Sequence, residues 1–367
     1  MTARFWAKTG KGEVEDGKPK YHPVICHLAD TAEVAMEIVR SHLSPVARQH
    51  LGQGLGLSAE NLIRFCGFMA GSHDLGKVSP AFQFQVSEVG KMLAGNTLYD
   101  GWSSLPRERR QPRNAPHGLV TAATLPDYLV EIGVGKDLSP RHAKRLAQKL
   151  GTIVGGHHGF FPAQKEIEDL DSAIAGTDAR SVWRQHSLEI FQQLQKFVKL
   201  TADDLPNCCD NAAAMILAGL TTVSDWIASN PAEDSGFPYV NDMSFEVYAE
   251  KLAERAKNAL AKQGWGQPAT GKPRAFKELF DFISTPRPLQ TVAAQLAETL
   301  TSPCLVMVEA SMGEGKTEAA LYLADHLQHQ SGVGGFYIGL PTQATSNAMF
   351  KRVQAFLQKR YPDNVIN

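Results

Sequence analysis

The run AENLIRFCGFMAGSHDLGK, residues 59–77, decides how this chain reads. Leu62, Phe65, Cys66 and Met69 recur at three- and four-residue spacing, the pattern of an amphipathic helix, and that helix delivers an adjacent histidine and aspartate, His73 and Asp74. The same rhythm runs through LADTAEVAMEIVRSHL (28–43), directly after His27, and through AAAMILAGLTTVSDWIAS (212–229), which contains Asp225. Two-residue alternation is scarce between Ile25 and about Trp226, so this region is expected to be all-α.

Five histidines and two aspartates punctuate it: His27 in CHLAD, His73 and Asp74 in SHDLGK, His117 in PHG, His157 and His158 in GGHHG, and Asp225 in SDW. Neutral imidazoles mixed with carboxylates suit borderline first-row ions such as Fe, Mn, Ni or Co better than Mg or Ca, which prefer all-oxygen shells. This set exceeds what one ion needs and suffices for two, with positions left for water and substrate. Lys77, three residues after Asp74, adds a cation on the same turn. His22, His42, His50, His142, His186, His326 and His329 are read as ordinary core or surface side chains.

In order and spacing the seven residues resemble the HD superfamily of metal phosphohydrolases. The resemblance implies that His27, His73, Asp74 and Asp225 hold one metal and that a shared Asp74 joins His117, His157 and His158 around a second. It also implies catalytic roles for Asp74 and Lys77. Two divalent ions against two carboxylates leave net positive charge, as an anionic phosphodiester requires. The segment SLPRERRQPRNAPHG (104–118) carries Arg107, Arg109, Arg110 and Arg113 against Glu108 alone, and its prolines make it a loop. Leading straight into His117, it is a candidate guide for the phosphates of a single strand.

The texture changes after the helix 246–263. GWGQPATGKP (264–273) and STPRP (284–288) are dense in Gly and Pro. CLVMVEA (304–310) reads as a buried parallel strand, ASMGEGKT (310–317) as a phosphate loop opening a helix, and GGFYIGLP (334–341) as a second buried strand before another helix. Gly313 and Gly315 let backbone N–H groups approach phosphates, Lys316 would reach the β and γ oxygens, and Thr317 would coordinate Mg²⁺. Strand, helix, strand, helix marks the start of an α/β domain. The expected organisation is an HD domain over 1–263, a linker over 264–285 and a partial RecA-like domain over 286–367.

An HD domain fused to this phosphate loop and to LPTQAT (340–345) resembles the CRISPR-associated helicase–nuclease of type I systems, whose motor is a superfamily-2 helicase. The resemblance implies that Gln290 reads adenine and that Thr342, Gln343 and Asn347 contact a nucleic-acid backbone. It further implies ATP and Mg as motor cofactors, single-stranded DNA as substrate, and an RNA-guided surveillance complex as partner. No D-E-x-H segment occurs by Asn367, so the chain is read as the N-terminal portion of a longer protein, and ATP hydrolysis is not expected of these residues alone. Competing readings are an HD phosphohydrolase of small nucleotides and a non-catalytic module whose metals staple helices.

Bulk properties fit. With 37 basic and 38 acidic residues the net charge is −1, so any attraction for nucleic acid must be local. The five cysteines form no CxxC pair, consistent with free thiols in a reducing compartment. No apolar run reaches the roughly 20 residues of a membrane span. A cytoplasmic monomer is expected.

Overall fold

A computed structural model describes residues 5–15, 17–234, 236–241, 243–265, 272–331, 336–340 and 342–362. The chain divides into two compact units, Met1–Lys262 and Gln263–Asn367.

The first unit is helical save for an antiparallel hairpin at its start, β1 (Trp6–Glu15) and β2 (Lys18–Pro23). The hairpin lies outside the helical stretch read from the sequence, although the Asp16-Gly17 dipeptide is a turn signal there. Gly17 takes φ +77° at its turn. The helix Val24–Glu37 follows without a break and is buried at every position, which makes it the axis of the unit. Leu28, Ala29, Ala32 and Val34 on it are wholly shielded from solvent. Against it pack Ala59–Gly71, Val182–Phe197, Asn211–Ala228 and Leu252–Lys262. Three of these start on side-chain caps: Ser58 Oγ accepts from Asn61 N (3.3 Å), Ser181 Oγ from Trp183 N (3.2 Å), and Asp210 Oδ1 from Ala213 N (2.7 Å). Each such cap contributes about 1 kcal/mol.

Glycine sets the closest approaches. The helices His117–Glu131 and Pro140–Gly155 cross at Gly118 and Gly155, where a Cβ on Gly118 would stand 2.3 Å from the Gly155 carbonyl oxygen. A Cβ on Gly76 would meet the His117 carbonyl oxygen at 2.0 Å, so only glycine lets the turn Ser72–Lys77 lie flat on the start of that helix.

In the second unit, helices Pro288–Thr299, Lys316–Ser331 and Gln343–Arg360 enclose a core of Phe276, Leu279, Phe280, Ala293, Ala297, Leu321, Tyr322 and Phe356. Phe276 and Phe280 fall inside the expected linker 264–285. That expectation is corrected, because aromatic rings of this size recruit their segment into a core despite the flanking Gly and Pro. Residues 266–271 of that span lie outside the described residues.

Neither expected strand is assigned among the described residues. In 304–310, Leu305 and Met307 are 88% and 77% exposed, and Tyr337 and Ile338 of the later run are also exposed. A parallel strand is buried only when hydrogen-bonded neighbours flank it and helices cover both faces, and no described residue of this unit supplies a partner strand. No helix among the described residues is long and apolar enough to cross a membrane.

Candidate metal centre

Five helices of the first unit converge on Asp74. His27 sits in the first turn of the axial helix, and His73 follows the end of Ala59–Gly71. Asp74 lies in the 3₁₀ turn Ser72–Lys77 with φ −103° and ψ 16°, a bridge-region backbone that turns its carboxylate inward. Asp225 comes from Asn211–Ala228, His117 begins its own helix, and His157 and His158 follow the end of Pro140–Gly155.

The seven side chains form two groups, each with its ligand atoms within 4.8 Å of one another: His27, His73, Asp74 and Asp225, and His117, His157 and His158. His27 Nε2 lies 3.0 Å from Asp74 Oδ2 and 3.3 Å from Asp225 Oδ1, and His73 Nε2 lies 3.2 and 3.4 Å from the same two atoms. The other oxygen, Asp74 Oδ1, stands 3.2 Å from His117 Nε2 and 3.5 Å from His157 Nε2. His117 and His158 bring their Nε2 atoms to 3.1 Å.

These contacts leave coordinating atoms orphaned. His27 Nε2, His73 Nε2, His157 Nε2 and Asp74 Oδ1 are buried without a hydrogen bond, a costly state for polar atoms that have nothing to bind. The other ring nitrogens of two histidines are committed: His73 Nδ1 donates to Ala70 O and His157 Nδ1 to Val154 O, both at 2.8 Å. That bond fixes the tautomer, so the Nε2 lone pair faces the cluster, as in imidazoles that bind metal. The donor set fits two divalent ions.

Protonation agrees for most of the set. Burial lowers His117 to about 4 and His157 to about 3, and burial together with nearby Lys8 lowers His27, so all three present lone pairs at neutral pH. His73 is the exception. Burial opposes its charged form, but the Asp74 and Asp225 carboxylates outweigh it and raise the group to about 9. Burial works against the ionised carboxylates too, yet Asp74 is held well below the usual range by His73, Lys77 and His117, and Asp225 is lowered chiefly by His73 and His27.

Supporting contacts hold the geometry. Thr121 Oγ1 donates to the His73 carbonyl (2.8 Å) and accepts from Gly76 N (2.9 Å), clamping the turn from the neighbouring helix. Thr222 Oγ1 donates to the His157 carbonyl (3.1 Å). Lys77 Nζ contacts Asp74 Oδ2 at 2.5 Å and lies 5.3 Å from the Phe82 ring centroid.

Sequence reasoning missed Lys8 and Ser229. Lys8, on β1, donates to Ser229 Oγ, which in turn donates to Asp225 Oδ1 at 3.0 Å, and burial lowers Lys8 to about 8. Ser229 stands one helical turn after Asp225, a spacing that signals shared facing; nothing in the sequence marks Lys8. His22, read as ordinary, is buried and bonded to Asp30 (2.7 Å), whose other oxygen accepts from Tyr248 OH (2.8 Å).

Other expected contacts vary. Arg107 and Arg113 are exposed on the loop before His117, Arg110 is half-buried, and Arg109 is tied to Asp171 at 2.6 Å. In the second unit Gln290 is buried against the phosphate loop, where a Cβ on Gly315 would stand 2.0 Å from its Nε2. Gln290 Oε1 accepts from Arg287 N (3.0 Å), capping its helix. Gly313 and Gly315 take φ +84° and +78°, and Lys316 Nζ folds onto the loop carbonyls of Ala310 (2.5 Å) and Ser311 (2.8 Å). Thr317 is half-buried in the first turn of Lys316–Ser331. Thr342 Oγ1 accepts from Thr345 N (3.3 Å) as a helix cap, and Asn347 is exposed; the Gln343 side chain lies outside the described residues.

The family match falls in the first unit, and the relatives and structures match across both units. The model of the Cas3 HD domain family matches residues 6–233. The CRISPR-associated endonuclease/helicase Cas3 of Thermus thermophilus is 33% identical over 369 residues, covering 97% of this chain and 36% of that protein. A crystal structure described as a CRISPR-associated protein superposes with TM-score 0.66 at 35% identity, over 99% of this chain and 38% of the other. A chain in a CRISPR RNA-guided surveillance complex before nicking matches with TM-score 0.52 at 25% identity, over 96% of this chain and 38% of its own. The sequence thus spans a little over a third of these relatives.

Proposed function

This chain belongs to the Cas3 HD domain family, and on that premise we propose that it is a metal-dependent nuclease cleaving single-stranded DNA in CRISPR interference. One observation carries the reading: Asp74 turns Oδ2 toward His27 and His73 and Oδ1 toward His117 and His157, so a single carboxylate faces two histidine groups. His27, His73, Asp74 and Asp225 would hold one ion, and Asp74, His117, His157 and His158 the other. Fe, Mn, Ni or Co suit this donor set, and such a pair supplies water activation and charge neutralisation at a phosphodiester.

The chain's own residues do the rest. Thr121 and Thr222 fix the backbones that carry His73 and His157. Lys77 holds positive charge beside Asp74, where it can meet a phosphate oxygen. His117 and His158 are the more exposed ligands, so substrate enters from their side, next to the arginine loop. Residues 1–263 carry this chemistry. Within the second unit, residues 286–367 are the start of an ATP-driven motor in which Gln290, Gly313, Gly315, Lys316 and Thr317 meet nucleotide with Mg. An RNA-guided surveillance complex is the proposed recruiting partner.

The test is nicking of circular single-stranded DNA by chain stripped of metal and then resupplied with Mn, Ni, Co or Fe. Restored nicking supports the proposal. Phosphate release from mononucleotides with no nicking would replace it with a nucleotide phosphohydrolase.

A further inference from the structure

Large aromatic side chains belong inside a protein, yet Trp226 and Phe160 are 65% and 67% exposed. Both flank ligands of the metal centre. Trp226 is the residue after Asp225. Phe160 lies two residues after His158, beyond Gly159, whose φ of +85° reverses the chain and sends the next residues outward.

The two positions belong to one rim. Thr222 Oγ1 donates to the His157 carbonyl, tying the segment that leads to Phe160 onto the helix Asn211–Ala228. Trp226 stands four residues, one helical turn, after Thr222 and so shares its face. Phe161, half-exposed, lies against the backbone of Gly156, where a Cβ would meet its ring at 2.2 Å, and so anchors the segment in place. Neither Trp226 nor Phe160 has an aromatic partner among the described residues. His117 and His158 are more exposed than His157, and His158 stands two residues before Phe160.

We infer that Trp226 and Phe160 are a stacking platform for the bases of a single strand whose backbone crosses the metal centre. The inference rests on the nuclease reading and extends it to a sequence-independent grip. Every base offers a π-face, whereas a paired duplex hides its bases from such rings. A single strand is favoured over a protein partner because the rings adjoin groups suited to an anionic phosphodiester, and a strand threaded there must present bases beside its phosphates. Their exposure also means that replacing them leaves the core intact.

The test is equilibrium binding of a fluorescent oligothymidylate to the chain in EDTA, which separates grip from cleavage, with duplex of the same length as control. Trp226→Ala and Phe160→Ala should each weaken single-strand binding by roughly tenfold. Trp226→Phe should recover most of the loss, and the oligonucleotide should quench tryptophan emission in wild type but much less in Trp226→Phe. Unchanged affinity in both alanine variants, with nicking still metal-dependent, would overturn the platform while leaving the nuclease reading intact and would assign the rings to a protein contact. Failure of wild type to bind or nick any single strand would overturn both.

Discussion

Thr121 donates its hydroxyl proton to the carbonyl oxygen of His73 at 2.8 Å, so a residue of one helix sets the position of a ligand on another. Thr121 Oγ1 in turn accepts from Gly76 N, and Thr121 thereby grips the His-Asp turn at both ends. The candidate metal centre is braced by threonine hydroxyls that bond the backbone beside its ligands and by Ser229, which bonds Asp225.

Thr121→Val keeps the volume and removes both bonds. Leaving a buried carbonyl and N–H unpaired should cost about 1–3 kcal/mol in urea unfolding, and metal affinity should fall roughly 10–100-fold. Equal metal affinity in the valine variant would show that the clamp does not matter to the site.

Metal affinity should rise with pH. In the metal-free chain His73 is protonated below about 9, and an ion must displace that proton. Because His117 and His157 sit near 4 and 3, they stay neutral through the physiological range and add no slope. The affinity should therefore climb about tenfold per pH unit between roughly pH 6 and 8, with one proton released, which titration calorimetry in buffers of different ionisation enthalpy reads directly. The stability of the metal-free chain runs the other way. A raised His73 stabilises it fully below its unfolded value and loses that contribution as pH passes 9. A flat affinity profile would contradict this account.

Gly118→Ala drives a methyl into the Gly155 carbonyl oxygen where two helices cross. Helix propensity favours alanine by about 1 kcal/mol, but the overlap is with backbone and cannot be relieved by a rotamer. Net destabilisation of roughly 1–3 kcal/mol is expected, together with weaker metal binding by His117 and His157, which the crossing places. Wild-type stability would refute the packing argument.

Arg107 and Arg113 are exposed, whereas Arg109 is engaged with Asp171. Replacing Arg107 and Arg113 together by Gln should weaken cleavage of single-stranded DNA, lower the salt dependence by about one unit of slope per lost phosphate contact, and leave metal content unchanged. Arg109→Gln should cost less in binding. Unaltered cleavage at low salt in the double variant would dismiss the loop as a strand guide.

Much of the site was legible because its chemistry is carried by rare residue types in a fixed order. His27, His73–Asp74, His117, His157–His158 and Asp225 stand out from their helices by composition alone, and all seven meet. Lys8 did not stand out, since a lysine on a strand is ordinary and only the hairpin's placement brings it to Ser229. The second unit was less legible for a cooperative reason. Apolar runs such as 304–310 describe what a strand needs from its neighbours, and burial follows only where those neighbours are present. Phe276 and Phe280 erred in the other direction, since Gly and Pro nearby masked two rings that the core claims.

Elemental analysis of purified wild type and of Asp74→Asn, each loaded with Mn and desalted, tests the shared carboxylate most directly. Asparagine keeps the shape of Asp74 but lacks the negative charge that faces both histidine groups. Wild type should retain close to two ions per chain and the variant fewer than one, with an unchanged helical circular dichroism spectrum and nicking reduced on the order of a thousandfold. Two tightly held ions in a folded Asp74→Asn chain would contradict the sharing of that carboxylate.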